Sequence, residues 1–531
     1  MKNSIYKILI FLFLFIHIIP LKAQETYSKR IDIDGQLEYT SEALFYKNNI
    51  ITYGQGAKLN GSLSTDIDRF FLVSTDKQGN VKHHKSFDSI IVLSHNKVLC
   101  VVDDTIYALV RTLNKNRPDT LSIAFLKMTS SFDSISSTII PCFPMKKKNG
   151  YFYDPREMAT SSDGNLYCLL RGPKLEVIKI SRSGKVLTRK FIASEQDSEG
   201  YVSMLVSSTG DVYFTVMPYL KPKDKDKKQP ILMKYDGNLN LQWIRTYPEV
   251  ADYENSTRIK ERHDGTIVFS TILNITFFGA GIDTIPMRGC TIYNVDTSGK
   301  VLWRLPIYAT ETNGGFYDLG LDVLHNDDII VSGEKQRVEK LPKKLQNGEG
   351  WLLCISKQGK CKWERRIRDE RGVSIYSRGI GEFVSTLEDE QHSLYACGTF
   401  AADTFPNYKP YVNNYNIWIV RLDSMGCLTP NCDTTQEIVG LREFIVLGEK
   451  PTQIKVFPNP VSDILNIDFQ GNEDWLAEGK IAYEILNSIG QIMLQGILSE
   501  SSLRLNDIPK GNYILHFMSN KRHGFAKIQK E

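Results

Sequence analysis

Local catalytic signatures are missing from this 531-residue chain. It has no His-Glu-x-x-His, no Gly-x-Ser-x-Gly and no phosphate-cradling Gly-rich Lys loop. Each of those motifs builds its site from neighbours in sequence. Their absence removes those routes to metal, nucleophile and phosphate chemistry. No Cys-x-x-Cys pair occurs, which argues against a structural zinc knuckle. Charge of one sign is scarce too. The net charge is +4, and Lys2, Lys7 and Lys22 supply three of those four in an acid-free N-terminus. A remainder of +1 gives no bulk pull towards nucleic acid or anionic lipid. The one basic run, residues 221–228, alternates with Asp and Pro and reads as a solvated loop. Long helix-period segments are also absent. Tyr, Phe, Ile and Val recur in short clusters, a mix that favours strands.

What is present begins with an address. Lys2 and Lys7 precede an apolar stretch from Ile8 to Ile19, and a small residue, Ala23, stands before Gln24. This is the pattern of a secretory signal, residues 1–23, cut between Ala23 and Gln24. The run is short for a membrane span, and no transmembrane segment is expected in the mature chain. Export permits disulfides. Of nine cysteines, only Cys427 and Cys432 form a tight loop-borne pair, and a bridge is expected there. Cys354 and Cys361 flank a turn, and their facing depends on register.

The middle of the chain repeats itself. A strand pattern recurs seven times, starting at Asn49, Thr105, Asn165, Asp211, Thr266, Asp328 and Ser393. A strand, a turn that usually contains Gly, and another strand follow each copy. The turn glycines are Gly79, Gly184, Gly237, Gly299, Gly359 and Gly426, and the copy near Ala124 lacks one. Glycine supplies the positive φ that closes such a hairpin. Trp243, Trp303 and Trp363 share one place in the next strand, which suggests packing between neighbouring repeats. Four antiparallel strands per unit, at this spacing, predict a seven-bladed β-propeller over residues 24–432. The last unit lacks a good fourth strand. Thr26–Ile31 matches Trp363–Ile367 and offers a replacement that leaves no open edge.

The repeats resemble the pyrroloquinoline-quinone-like bacterial propeller repeats, as in the run from Asp296 through Gly299 and Lys300 to Trp303. That resemblance implies architecture, and no cofactor is assigned from it. After a linker at residues 433–452, residues 453–531 read as a small immunoglobulin-like β-sandwich. Its marks are Phe457-Pro458-Asn459-Pro460, a central strand-Gly-strand, Ile508 to Gly511 and Tyr513, and a terminal Lys527 to Lys530. These are similar to the type A sorting domain of type IX secretion. The resemblance implies handling by that secretion machinery and delivery outside the cell, released or held at the surface. The sorting residues it implies are Pro458, Asn459, Pro460, Gly511, Tyr513, Lys527 and Lys530.

No catalytic, cofactor or metal residue is assigned. His83-His84 reads as a solvated strand start, Asp66 and Asp68 lack a ligand-spaced loop, and Asp103-Asp104 fits a turn. A propeller can still assemble carboxylates from several blades. The b–c connections look long in several repeats, and elaboration on one face of a rigid scaffold marks a binding side. The last of them carries Tyr408, Tyr411 and Tyr415 among asparagines, a mix suited to sugar or protein contact. The expectation is an exported binding protein for an extracellular glycan or protein. The alternative is a hydrolase or lyase of polysaccharide or peptide, with its site at the propeller axis.

Overall fold

Strands with apolar residues at every second position need a partner on each buried face, and here they find it by stacking sheet on sheet. The computed structural model describes residues 26–428, 432 and 452–531. Excepted are 32, 34–36, 60–64, 89, 93–95, 114–120, 141–153, 173, 193–201, 217–229, 248–257, 278–284, 308–315, 339–345, 368–379, 405–412, 469–480, 488–491, 499–500 and 519–522. Ala23, Gln24 and nearly all of the linker at 433–452 lie outside the described residues.

Among the described residues between Tyr27 and Leu422 there are seven antiparallel meanders, each with strand order a-b-c-d from the inside outwards. Blade 5 is typical, with strands Arg258–Glu261, Ile267–Phe277, Ile285–Val295 and Val301–Ile307. The other inner strands are Leu37–Tyr46, Leu99–Val102, Asp154–Thr160, Val202–Val206, Phe316–Val323 and Ile380–Glu388, for blades 1, 2, 3, 4, 6 and 7. In blade 2 a short segment, Ile90–Ile91, also pairs with strand b. Neighbouring sheets touch in succession and blade 7 returns to blade 1, so the sheets form a propeller ring. Closure comes from the N-terminus. Tyr27–Ile31 is the outer strand of blade 7, with Tyr27 opposite Arg421 and Ile31 opposite Ile417.

The seams between blades use the repeated rings. A Cβ placed on Gly299, Gly359 or Gly426 would lie within 3 Å of Trp243, Trp303 or Trp363 of the preceding blade. Tyr27 takes the same place for the ring junction, against Gly79 of blade 1. These glycines also hold φ between 72° and 83°. Gly359→Ala therefore meets two penalties, left-handed backbone at about 1–2 kcal/mol and overpacking at about 1–3 kcal/mol. A loss of roughly 2–5 kcal/mol in urea unfolding is expected, with Gly237→Ala as the milder control.

Gly237 is the control because the structure corrects its role. In each c–d turn the left-handed residue stands three after the first turn residue. In blade 4 that is Leu239 (φ 63°) and in blade 2 it is Phe132 (φ 67°). Both side chains are buried, and that burial offsets the strain of an unfavoured φ. The turn aspartates do the rest. Asp296 Oδ1 accepts from the Ser298 and Lys300 amides at 2.9 and 3.0 Å, and Asp76, Asp236 and Asp423 act alike. The Asp-x-x-Gly-Lys-x-x-Trp run thus serves a turn and a seam.

The C-terminal part is a β-sandwich. One sheet holds Gln453 with its neighbour, His523–Lys530, Gly511–Met518, Ile481–Asn487 and Ile492–Leu498; the other holds Lys455–Phe457, Ile464–Asp468 and Ser502–Arg504. Leu465, Ile485, Leu505, Leu515 and Phe517 are fully buried between them.

Candidate functional site

Polar chemistry gathers at several places among the described residues. The first is the propeller axis. An inner strand has an unpaired edge facing the axis, and buried backbone amides need acceptors. Side chains from the preceding blade supply them. Ser385 Oγ accepts from the Ala43 amide at 3.0 Å. Glu157 Oε2 accepts from the Met204 amide at 2.6 Å and Ser203 Oγ at 2.8 Å. Asp322 Oδ2 accepts from the Thr386 amide at 2.9 Å. Two lysines balance the acids. Lys97 Nζ is 2.9 Å from Glu42 Oε1, and Lys260 Nζ is 3.1 Å from Asp322 Oδ1. Tyr53 donates to the other Glu42 oxygen at 2.8 Å. Lys260 keeps 34% of its side chain exposed, so this part of the axis is open to water.

Glu42, Glu157 and Asp322 thus converge from three blades, each already engaged. Burial pushes the Glu157 carboxyl above its ordinary range, against the pull of Lys97 and Arg258. Asp322 holds the Lys260 ammonium well above its usual value despite desolvation, with Glu42 and Glu157 adding to it. A carboxyl whose folded pKa is raised keeps its proton where the unfolded chain has lost it. Its contribution to stability therefore falls as pH rises above about 4.5. Glu157→Gln keeps an acceptor for Ser203 and Met204 and removes the charge. The variant is expected to lose this decline, read as urea midpoints between pH 4 and pH 8.

The second place is the b–c face. Strand b runs ten or eleven residues in blades 5, 6, 7 and 1, but five or six in blades 3 and 4. The longer strands stay paired with strand c out to Phe277 with Ile285, Val338 with Gln346, Thr404 with Asn413 and Leu59 with Thr65. Much of what the sequence suggests is loop is therefore hairpin arm. Both strands of such an arm are edges, so Pro286 and Gly289 within it are tolerated. The four arms belong to consecutive blades around the ring and form one arc. Tyr408 and Tyr411 lie outside the described residues. Tyr415 is half-buried, with its ring centroid 4.4 Å from that of Tyr39. It packs between blades 7 and 1 at the base of its arm. Asp66 and Asp68 fall on strand Thr65–Asp76, and His83 and His84 are exposed on strand Val81–Asp88. Cys427 and Cys432 are joined by a disulfide, and Cys354 and Cys361 are free.

The third place is a groove of about 290 Å³ on the C-terminal sandwich, lined by Asn459, Asn487, Asn512, Tyr513, Lys527 and Gln529 among others. Asn459 clips the entry segment onto the last strand. Its Nδ2 donates to the Lys527 carbonyl at 2.9 Å and its Oδ1 accepts from the Gln529 amide at 2.8 Å. The Val461 amide donates to the Gln529 carbonyl and the Glu531 amide to the Val461 carbonyl. The peptide bonds before Pro458 and Pro460 are cis. Tyr513 donates to the Pro509 carbonyl at 2.7 Å, and Gly511 lies against its ring. Lys527 is exposed and Lys530 half-exposed on the terminal strand. Residues 458–460, 511–513 and 527–530, far apart in sequence, thus share one edge of the sandwich.

Fold and groove together define a β-propeller protein with a small terminal β-sandwich. Residues 455–531 match the family described as the secretion system C-terminal sorting domain. The chain carries a type IX sorting domain and is exported to the cell surface or secreted. Among the described residues no helix is long and apolar enough to cross a membrane. No curated protein matches the chain. Solved structures similar to it include the polysaccharide lyase Uly1, at 12% identity, TM-score 0.40, 73% of this chain and 90% of that one. YCF48 bound to D1 peptide matches at 11% and 0.40, over 73% and 99%. A protein of unknown function from Dyadobacter fermentans matches at 13% and 0.39, over 62% and 99%.

Proposed function

We propose that the chain is an extracellular binding protein whose propeller displays an arc of hairpin arms to a glycan or protein ligand. The arc carries this reading. Four consecutive blades lengthen strands b and c on one face, while their a–b turns stay short. An elaborated face on a rigid ring is where recognition is built. The type IX machinery reads the terminal sandwich, with Asn459, Tyr513 and Lys527 at its groove. The N-terminal segment to Ala23 serves as the signal for the first membrane, with mature sequence from Gln24.

A second reading, hydrolysis or lyase chemistry at the axis, is favoured by the convergence of Glu42, Glu157 and Asp322 beside Lys97 and Lys260. Against it, all three carboxylates accept from lysine, hydroxyl or backbone partners that stabilise the ring. The test is a glycan array and protein pull-down with the secreted mature protein. It is compared with a variant in which residues 405–412 are replaced by a two-residue Asn-Gly turn. Saturable binding that drops at least tenfold in the variant, with the ligand's mass unchanged, supports display by the arms. Ligand cleaved by the wild type, and spared by Glu157→Gln, transfers the function to the axis.

A further inference from the structure

We infer that His325, Glu388 and His392 form a site for a divalent transition-metal ion of the zinc class, bridging blades 6 and 7 on the face opposite the arms. His325 stands in the a–b turn after strand Phe316–Val323. Glu388 ends strand Ile380–Glu388, and His392 lies in the turn that follows. Their ligand atoms all lie within 4.8 Å of one another. His392 Nδ1 is 2.6 Å from Glu388 Oε1, and His325 Nδ1 is 3.6 Å from Glu388 Oε2.

The anchor is already set. The Glu388 side chain is 8% exposed, and its Oε2 accepts from the His325 backbone amide at 2.6 Å. A buried, oriented carboxylate needs little ordering on binding. The two imidazoles are 49% and 59% exposed, so they are free to close the last ångström around an ion. Two imidazoles and one carboxylate suit zinc-class ions at about 2.0–2.2 Å, with a fourth position left to water. Calcium wants six to eight oxygens and would be poorly served. The surroundings favour a cation. Asp389 and Glu390 lie in the same turn, with Lys77 as their partner.

The turn backbone sets the direction of the His392 side chain. His392 sits at φ 61°, in the turn position that Gly164, Gly210 and Gly265 occupy in blades 3, 4 and 5 and Asp327, at φ 67°, in blade 6. Left-handed backbone is uncommon for a residue other than glycine, and here it turns the imidazole towards Glu388.

The test titrates zinc chloride into untagged, chelator-treated mature protein by calorimetry, with melting temperature read in parallel. The expected result is one zinc per chain and a rise in melting temperature. His325→Asn is expected to weaken binding at least tenfold. His392→Gly removes a ligand and relieves the backbone, so the metal-free variant should melt no lower than wild type yet gain nothing from zinc. A His83→Ala/His84→Ala double variant should bind as wild type does. No uptake by the wild type overturns the site. So does uptake that survives both His325→Asn and His392→Gly, or that vanishes with His83 and His84.

Discussion

Deleting residues 24–31 from the mature protein is expected to open the ring and cost most of the propeller's stability. The lost strand leaves Asn413–Leu422 with a bare edge. It removes Tyr27 and Ile31 from a cluster that includes Ile50, Phe71, Tyr395 and Ile419 of blades 1 and 7. It also strips Trp418 Nε1 of its acceptor, Ser28 Oγ, at 2.9 Å. Two half-buried apolar side chains at about 1–2 kcal/mol each, and a buried donor left unmet at about 1–3 kcal/mol, total roughly 3–7 kcal/mol. That approaches the whole stability of an ordinary domain, about 5–15 kcal/mol. Urea unfolding of the deletion should show a collapsed or absent transition, and size exclusion should show association through the exposed edge. A native-like midpoint would mean that closure is held by the inner strands alone. Tyr27→Ala tests the seam separately. It leaves the backbone pairing and removes only the ring that meets Gly79, so a smaller loss of about 1–2 kcal/mol is expected.

That closing strand was legible in the sequence because its information is local. Tyr27 aligns with Trp363 once Ile31 is set against Ile367, and a turn aspartate or glycine marks most hairpins within five residues. Leu239 and Phe132 show where the local code stops. Burial lets a large residue take a glycine's φ, and burial depends on the neighbouring blade. The axial array was not legible for the same reason. Glu42, Lys97, Glu157, Lys260 and Asp322 come from five repeats, one residue each, and no local spacing joins them. Glu42 and Glu157 each follow a bulge in the inner strand, a backbone feature that alternation of side chains does not announce. His325 and His392 meet only because turns of adjacent blades share a face. The blade 5 arm holds Pro286 and Gly289, residues that would break a central strand and are tolerated in a two-stranded arm.

Removing residues 527–531 is expected to abolish delivery outside the cell while leaving the propeller folded. The truncation cuts the terminal strand His523–Lys530 in half. It removes buried Ile528 from the sandwich core, and it deletes both backbone partners of Asn459. The clip that seats Pro458-Asn459-Pro460 on the sheet edge then has nothing to hold. Cell fractionation should show at least a tenfold fall in extracellular and surface protein, with the chain retained in the periplasm. The purified truncation should keep the wild-type unfolding midpoint for the propeller. Two substitutions separate folding of the sandwich from its recognition. Asn459→Ala loses two hydrogen bonds, about 1–3 kcal/mol, and should weaken the sandwich and delivery together. Lys527→Ala removes an exposed side chain from the groove wall and leaves the main-chain acceptor used by Asn459 in place. It should leave the sandwich's stability within about 0.5 kcal/mol. A fall in delivery with that stability kept would show that the machinery reads the groove itself. Delivery unchanged by Lys527→Ala but lost with Asn459→Ala would show that it reads only a folded edge.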